Sequence, residues 1–142
     1  MSNDLAIIVP DNQTTALHST ISLDTTHEKN RALRALNSSM SLANVIRPDQ
    51  DVFDVIDIFQ VPGVRRARQE GASDVPCKNT YFLLADGRAL MTQSDGIARS
   101  IDMLLAIYPD CGRTSEKGCL SLAVHEEKLP NGNTIKSVYP VD

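Results

Sequence analysis

Apolar residues recur along the chain with the periods of strands and helices, and proline, glycine or asparagine separates one pattern from the next. Residues 5–9 are an apolar run that predicts a short strand ended by Pro10. Residues 12–24 are rich in Thr and Ser and have few apolar positions, which predicts an extended arm. Thr25 and Glu28 have the spacing of a capping box, whose two side chains satisfy free amides at the start of a helix.

The helix predicted after this capping box carries one narrow apolar stripe. Four residues at spacings of three and four form the stripe before Pro48 ends the pattern: Leu33, Leu36, Met40 and Ala43. Such a stripe packs either against the main domain or against a second copy of the chain. Residues 1–48 are therefore interpreted as an N-terminal arm and helix, and as a candidate oligomerisation element.

The densest apolar segment, residues 52–61, predicts a strand that is covered on both faces. Strict alternation would place Phe53, Val55, Phe59 and Val61 on one face and Val52, Ile56 and Ile58 on the other. Residues 63–77 contain glycine, proline and polar residues without an apolar period, which predicts one long loop. Long loops in small domains are usually functional or disordered.

A hairpin and a helix are predicted next. Residues 80–84 and 89–93 are predicted strands that flank Asp86-Gly87, a strong signal for a hairpin turn. Ser94 can cap a helix. The apolar residues of that helix recur at helical spacing until Pro109: Ile97, Ile101, Leu104, Leu105 and Tyr108.

The last two predicted strands, residues 120–124 and 134–139, are joined by an Asn-Gly turn. From residue 49 onward the order is therefore five strands, with a helix between the third and the fourth. This is the element order of the OB-fold, a partly open Greek-key barrel, although other five-stranded α+β arrangements share it. The sequence predicts a mainly β fold with α: a five-stranded OB-fold-like domain at 49–142, preceded by an N-terminal strand and helix.

Composition and charge limit the classes of function. With 142 residues, 42% hydrophobic and 23% charged, the chain has the balance of a globular protein. Its 14 basic and 18 acidic residues give a net charge of −4, which argues against coating of nucleic acid or anionic membrane by bulk charge. Nucleic-acid binding would need a local basic patch.

Cysteine use and hydropathy predict a cytoplasmic protein without a membrane partner. The three cysteines have irregular spacing, which does not suit a disulfide framework. The first 24 residues contain no Lys or Arg and lack the long apolar stretch of a secretory signal. No apolar run approaches the roughly 18 residues of a membrane span.

Basic residues are concentrated in the predicted long loop. Arg65, Arg66 and Arg68, together with Lys78, stand against only two acidic residues in the same segment. Arginines at this spacing can pair with phosphates and stack on bases, as binding of a nucleic-acid single strand requires. In an OB-fold, the loop between the first two strands commonly binds oligonucleotides. The alternative is a solvated loop whose arginines only keep it soluble.

Tyr81 is the candidate base-stacking residue. Tyr81 and Phe82 point to opposite faces of one predicted strand, and a tyrosine hydroxyl tolerates water, so we expect Tyr81 outside and Phe82 in the core. A base stacked on Tyr81 would contribute about 1–3 kcal/mol. The alternative is that both rings are buried or cover an oligomer interface. Arg88, Arg99 and Lys136 could extend the basic track.

The sequence offers no pattern for catalysis or for a cofactor. Cys77, Cys111, Cys119 and His125 could supply four zinc ligands, but no pair has the close spacing of structural zinc sites, so separate core residues are expected. Nucleophile-elbow, phosphate-binding-loop and zinc-protease motifs do not occur. The prediction is a protein that is not an enzyme and has no metal, cofactor or small-molecule substrate.

Three segments resemble a known group of proteins: Asp74-Val75-Pro76-Cys77-Lys78-Asn79-Thr80-Tyr81, Asp86-Gly87 and Ser94-Asp95-Gly96-Ile97-Ala98-Arg99-Ser100-Ile101. They are similar to OB-fold single-stranded-DNA-binding proteins of phages and conjugative plasmids of Gram-positive bacteria. The resemblance covers about residues 52–139. It implies sequence-independent binding of single-stranded DNA during replication or transfer, in the cytoplasm of a bacterial host cell.

Two hypotheses about function follow. The first is a non-enzymatic OB-fold protein that binds single-stranded DNA and forms a homo-oligomer. The second is a protein–protein interaction module of a mobile element. A DNA-binding surface should be basic and sensitive to salt, whereas an interaction module should bind its partner with little response to salt.

Overall fold

A computed structural model describes the protein at residues 5–8, 14–20, 24–67, 71 and 73–142. Within these ranges the chain forms eight strands and three helices. They are β1 Leu5–Ile8, β2 Thr14–Ser19, α1 Thr26–Asn37, β3 Met40–Ser41, α2 Leu42–Val45, β4 Val52–Arg65, β5 Val75–Leu84, β6 Ala89–Thr92, α3 Asp95–Ile107, β7 Leu120–Lys128 and β8 Thr134–Pro140. The predicted mainly β class with helices is confirmed.

The long strand β4 is the centre of one curled sheet. One edge of β4 pairs antiparallel with β5 from Val55 to Arg65. The other edge is shared, because β7 pairs with residues 52–55 and β2 pairs with residues 59–60. β6 continues the sheet beyond β5, β8 continues it beyond β7, and β1 pairs with β2. The short β3 adds to β6 in parallel.

A β-bulge between Val55 and Asp57 divides β4 into two parts. Across the bulge, the alternation of side chains between the two faces of the sheet shifts by one residue. Before the bulge, Val55 points into the main core; after it, Ile58 points into that core and Phe59 points to the other face. The alternation predicted across 52–61 was therefore wrong beyond Val55. An extra residue in one strand shifts the period of two by one position, so every later side chain changes face.

The two faces of the sheet carry two separate apolar clusters. The main core lies between the sheet and α3, with buried residues that include Phe53, Phe82, Leu90 and Ile101. The second cluster lies between the sheet and α1 and is smaller. Its buried members are Ala32, Ala35, Phe59, Leu83 and Ala89.

Helix α1 begins at the predicted capping box but buries a different face. Thr25 accepts a hydrogen bond from the Glu28 amide at 3.1 Å, and its hydroxyl donates to the Glu28 carboxylate at 2.9 Å. Leu33 is 55% exposed, and the helix ends at Asn37, before Met40 and Ala43. Of the predicted stripe, Leu36 packs partly buried against the second cluster, whereas Leu33, Met40 and Ala43 are exposed. The buried residues of the helix are Ala32 and Ala35, whose small side chains let it lie close to the sheet.

Strand pairing also extends into segments predicted as arm and loop. Residues 14–19, within the predicted arm, form β2. The predicted loop 63–77 is strand at both ends, because β4 and β5 remain paired as far as Arg65 and Val75. Gly63 is part of this pairing: a Cβ there would lie 2.4 Å from the Asn79 side chain. The glycine thus makes room for a neighbour and does not end the strand.

Helix α3 and the two predicted turns follow the local sequence signals. Ser94 caps α3 by accepting a hydrogen bond from the Ile97 amide at 3.2 Å. The predicted hairpin turn at Asp86-Gly87 is confirmed, with Gly87 at a φ of 92° that favours glycine. The Asn-Gly turn joins β7 to β8 as predicted. No helix in the described part of the chain is long and apolar enough to cross a membrane.

Candidate nucleic-acid interface

The β4 and β5 strands extend beyond the rest of the sheet as a two-stranded ribbon. Pairing of β5 with β6 ends at Thr80, whereas β4 and β5 stay paired over residues 61–65 and 75–79, which define the ribbon. Val64 and Val75 at its tip are 54% and 53% exposed. The ribbon carries Arg65 at the base of the 66–74 connection, so the predicted basic loop begins on a paired strand.

Arg65 is tied across to the residues that precede α3. Its Nη2 donates a hydrogen bond to the Gln93 carbonyl at 2.6 Å and lies 3.4 Å from the Asp95 carboxylate. The Gln93 side chain in turn donates to Asn79 at 2.9 Å. These contacts hold the ribbon against the start of α3, so Arg65 has a defined position rather than the freedom of a loop residue.

Three basic side chains line one cleft beside this junction. Arg65, Arg99 of α3 and Lys136 of β8 surround a volume of about 540 Å³, and Asp95 is the acidic residue among the described lining residues. Neither Arg99 nor Lys136 makes a side-chain hydrogen bond or ion pair to any residue that the structure describes. We call this space the basic cleft; its two unpaired cations can accept an anionic ligand without breaking an internal contact.

Gly96 allows α3 and β8, which both line the basic cleft, to come into direct contact. A Cβ at this position would lie 2.1 Å from the Lys136 carbonyl oxygen, a backbone atom that cannot rotate away. The first turn of α3 therefore rests directly on β8. The sequence signal for this contact was the Asp95-Gly96 pair after a cap residue, but sequence alone did not indicate that Lys136 lies opposite.

Lys78 and Arg66 lie at the same end of the sheet. The ammonium of Lys78 is 3.5 Å from the Asp102 carboxylate, and the two line a neighbouring cleft of about 330 Å³ together with Arg99. Arg66 is exposed just after β4. Arg68 lies outside the described residues. The end of the molecule that carries Arg65 thus carries most of the predicted basic positions.

Arg88 and Tyr81 occupy other places. Arg88 lies in the β5–β6 turn, at the opposite end of β5 from Arg65, and pairs with Asp86 at 2.8 Å. Phe82 is completely buried in the main core, and Tyr81 lies half-buried on the other face, packed against the second cluster. The stacking surface predicted for Tyr81 is therefore partly covered. Whether a base stacks there stays a prediction.

The chain was also compared with protein families, with curated proteins and with solved structures. No significant match was found.

A buried carboxylate, Asp57, is the centre of a network that the sequence analysis did not identify. Only 3% of its side chain is exposed. It accepts hydrogen bonds from the Thr20 hydroxyl at 2.8 Å, from Arg31 of α1 at 3.4 Å and from Arg113. Burial raises the pKa of the Asp57 carboxyl, and the Thr20 hydrogen bond and the two arginines oppose that rise. The network fastens α1 and residue 113 to β4.

Two further polar clusters lie near the surface. Ser121 donates a hydrogen bond to Asp54 at 2.6 Å and accepts one from Lys117 at 2.5 Å; the Ser121 hydrogen bond is the main cause of the lowered pKa of Asp54. The Nδ1 of His125 lies 2.9 Å from the Asp49 carboxylate, and this hydrogen bond raises the pKa of His125. Both clusters join separate chain segments and neither borders the basic cleft.

The three cysteines fall into two environments. Cys111 and Cys119 are buried, Cys77 is half-buried on the ribbon, and all three are free thiols. Burial raises the pKa of the Cys111 thiol to about 12. Within the described ranges, no three His, Cys, Asp or Glu side chains come together as a candidate metal site.

Proposed function

We propose that residues 52–140 form an OB-fold-like barrel and that the protein binds single-stranded DNA without sequence preference, in phage or plasmid replication or transfer. The observation that carries the proposal is the basic cleft. A protein of net charge −4 has three cations around one cleft beside a projecting ribbon, and two of these cations have no ion pair to a residue that the structure describes. In this proposal the protein is a binding protein and not an enzyme.

The order of strand pairing supports the barrel. From β4 onward the neighbours in the sheet are β6, β5, β4, β7 and β8, with α3 inserted in sequence between β6 and β7. β4 is the first of these five strands in the chain. It pairs with β5, the second strand, along one edge and with β7, the fourth strand, along part of the other edge. The long, curled first strand of an OB-fold pairs in the same way.

The position of the cleft supports the choice of ligand. Arg65 precedes the 66–74 connection and Lys136 follows the 129–133 turn, so the cleft lies between the loops that join the first to the second strand and the fourth to the fifth. In OB-folds these loops commonly contact oligonucleotides. Arginine and lysine side chains that follow a nucleic-acid backbone provide affinity without reading sequence.

The proposal is tested by fluorescence anisotropy of a labelled oligo-dT strand, at low and moderate salt, with a duplex of the same length as control. We expect single-strand binding that weakens steeply with salt. The double variant Arg99→Ala and Lys136→Ala should bind more weakly and with a smaller salt dependence, by about 0.7 in the logarithmic slope for each phosphate that is no longer neutralised. Lys29→Ala, on α1, is the matched control. Absence of single-strand binding by the wild-type protein at low salt would refute the proposal.

A protein-interaction module is the second candidate function. The observation in its favour is an apolar patch on the outer face of α3, where Met103 and Ile107 are both 73% exposed. This candidate predicts a protein partner whose binding responds little to salt and is abolished in the double variant Met103→Glu, Ile107→Glu. Pull-down with that double variant and with the wild type distinguishes it from DNA binding.

A further inference from the structure

A second basic groove lies at the other end of β5, between α1 and the turn after β5. It has a volume of about 320 Å³. Three basic side chains, His27, Arg31 and Arg34, line it together with Ile56 and Leu83, which belong to the second apolar cluster. No acidic residue is among the described residues that line it. We call it the α1 groove.

The three basic residues share one face of α1. Positions 27, 31 and 34 are separated by four and three residues, a spacing that stacks side chains along one side of a helix. Among the described residues, the Arg34 guanidinium donates only to the Asn30 carbonyl of its own helix, at 3.4 Å. Arg31 reaches Asp57 at 3.4 Å, yet 41% of its side chain is exposed. Arg34 therefore brings positive charge to the groove with no acidic partner in the described part of the chain.

We propose that the α1 groove is a second phosphate-binding site for the same nucleic-acid strand, an inference that rests on the proposed function. Two residues of the basic cleft pair with β5: Arg65 with Val75 at its start and Thr92 with Thr80, whereas the α1 groove adjoins its end at Leu84. At about 3.3 Å per residue, Leu84 lies roughly 13 Å from Thr80 and roughly 30 Å from Val75 along β5. One strand of nucleic acid that engages both sites must cover a distance in this range, which is compatible with binding-site sizes of about 4–16 nucleotides in OB-fold proteins.

The chemistry of the groove suits a nucleotide. Guanidinium groups bind phosphate oxygens with paired hydrogen bonds, and the apolar floor offers contact area to a base. Two basic sites on one acidic protein match a ligand that repeats its negative charge along its length. An acidic peptide is the competing ligand, and the experiment includes it.

Charge reversal on opposite faces of α1 provides a matched test. Arg34→Glu and Lys29→Glu change the net charge by the same amount on the same helix, but Lys29 lies on the face away from the groove. With a labelled oligo-dT strand of about 15 nucleotides at low salt, we expect Arg34→Glu to weaken binding about tenfold and to reduce the salt slope. Lys29→Glu should weaken binding less, because its added negative charge acts on the nucleic acid only by repulsion over a longer distance.

The length of the strand provides a second test. At about 3.4 Å per stacked nucleotide, a strand of two nucleotides covers about 7 Å and cannot reach both sites. Arg34→Glu and Lys29→Glu should therefore bind this short strand equally well. Arg99→Glu, in the basic cleft, should weaken binding of both strands.

Each outcome separates the inference from the proposed function. Equal affinity of Arg34→Glu and Lys29→Glu for the long strand, with weakened binding by Arg99→Glu, would overturn the second site and leave the proposed function intact. No binding of either strand by the wild type would overturn both. Loss of labelled poly-glutamate binding in Arg34→Glu, with oligo-dT binding unchanged, would assign the groove to acidic protein segments and overturn the inference.

Discussion

Gly96 shows how one residue sets the distance between two elements of the candidate interface. Because a Cβ would lie 2.1 Å from the Lys136 carbonyl oxygen, Gly96→Ala forces α3 away from β8. We expect the free energy of unfolding to fall by about 1–3 kcal/mol, as for other overpacked sites. Urea denaturation measures the change. Ala106→Leu, which adds a larger group on the exposed side of α3, should leave stability within about 0.5 kcal/mol of wild type.

Asp57 couples stability to pH at the scale of one carboxyl group. Burial raises its pKa, so the folded protein keeps the proton to a higher pH than the unfolded chain does. The contribution of Asp57 to stability is therefore complete below the unfolded pKa of about 3.9 and is lost as the pH rises through the folded pKa. Relative to Asp57→Asn, the wild type should become less stable over that interval.

Urea unfolding of the wild type and of Asp57→Asn between about pH 3 and pH 7 measures this difference. Asp49→Asn serves as the control for titration at an exposed carboxylate, since Asp49 has a lowered pKa and the opposite sign of pH dependence. A wild-type advantage that increases with pH would show that Arg31 and Arg113 determine the titration of Asp57, and not its burial.

At the scale of elements, α1 is attached to the sheet by a small apolar contact. Its buried residues are Ala32 and Ala35, while Leu33 faces solvent. Ala32→Glu would bury a charge in the second cluster, away from the basic residues of the α1 groove, and should detach α1, because an unpaired buried charge costs several kcal/mol. Hydrogen exchange of the α1 amides should become fast while β4 and β5 stay protected.

The exposed position supplies the control for this prediction. Leu33→Glu adds the same charge to the same helix on its solvent side, and exchange of α1 should stay close to wild type. Fast exchange of α1 in Leu33→Glu, with slow exchange in Ala32→Glu, would mean that the stripe expected from sequence is the buried face.

Local chemistry explains which elements the sequence predicted correctly. The capping box at Thr25, the cap at Ser94 and the turn at Gly87 depend on residues within four positions of one another. The bulge after Val55 and the buried face of α1 depend on contacts between distant segments. Periodicity therefore located strands and helices but assigned the wrong face to Phe59 and to Leu33.

The candidate interface divides in the same way. Sequence identified Arg65, Arg66, Lys78, Arg99 and Lys136 as basic positions, but only the fold brings Arg65, Arg99 and Lys136 around one cleft and moves Arg88 to the far end of β5. The α1 groove was not predicted. The spacing of its three basic residues places them on one face of a helix, but only the fold shows which surface lies beside that face.

At the scale of the whole molecule, the three thiols report how the protein opens. Cys111 and Cys119 are buried and Cys77 is half-exposed on the ribbon. Because the thiolate is the reactive form and burial raises the pKa of Cys111 to about 12, a thiol reagent near neutral pH should modify Cys77 first. Mass spectrometry over time should find Cys111 modified only at the rate of global unfolding.

Denaturant gives the control for this measurement. Addition of urea below the unfolding midpoint should accelerate modification of Cys111 much more than that of Cys77, because it increases the population of the open molecule. Equal acceleration at both thiols would contradict the view that Cys111 lies in the cooperative core.

The shared edge of β4 has a consequence for how the chain is made. β4 and β5 are consecutive strands and can pair as soon as both have left the ribosome, whereas Val52 must wait for Ala123, which follows β6 and α3 in the chain. During that interval the backbone amides and carbonyls of residues 52–55 face an open edge, which is a template for pairing between nascent chains. Pairing with β7 covers this edge and so removes the site at which nascent chains could pair with one another. Pulse-labelled hydrogen exchange during refolding should find β7 protected after the β4–β5 hairpin.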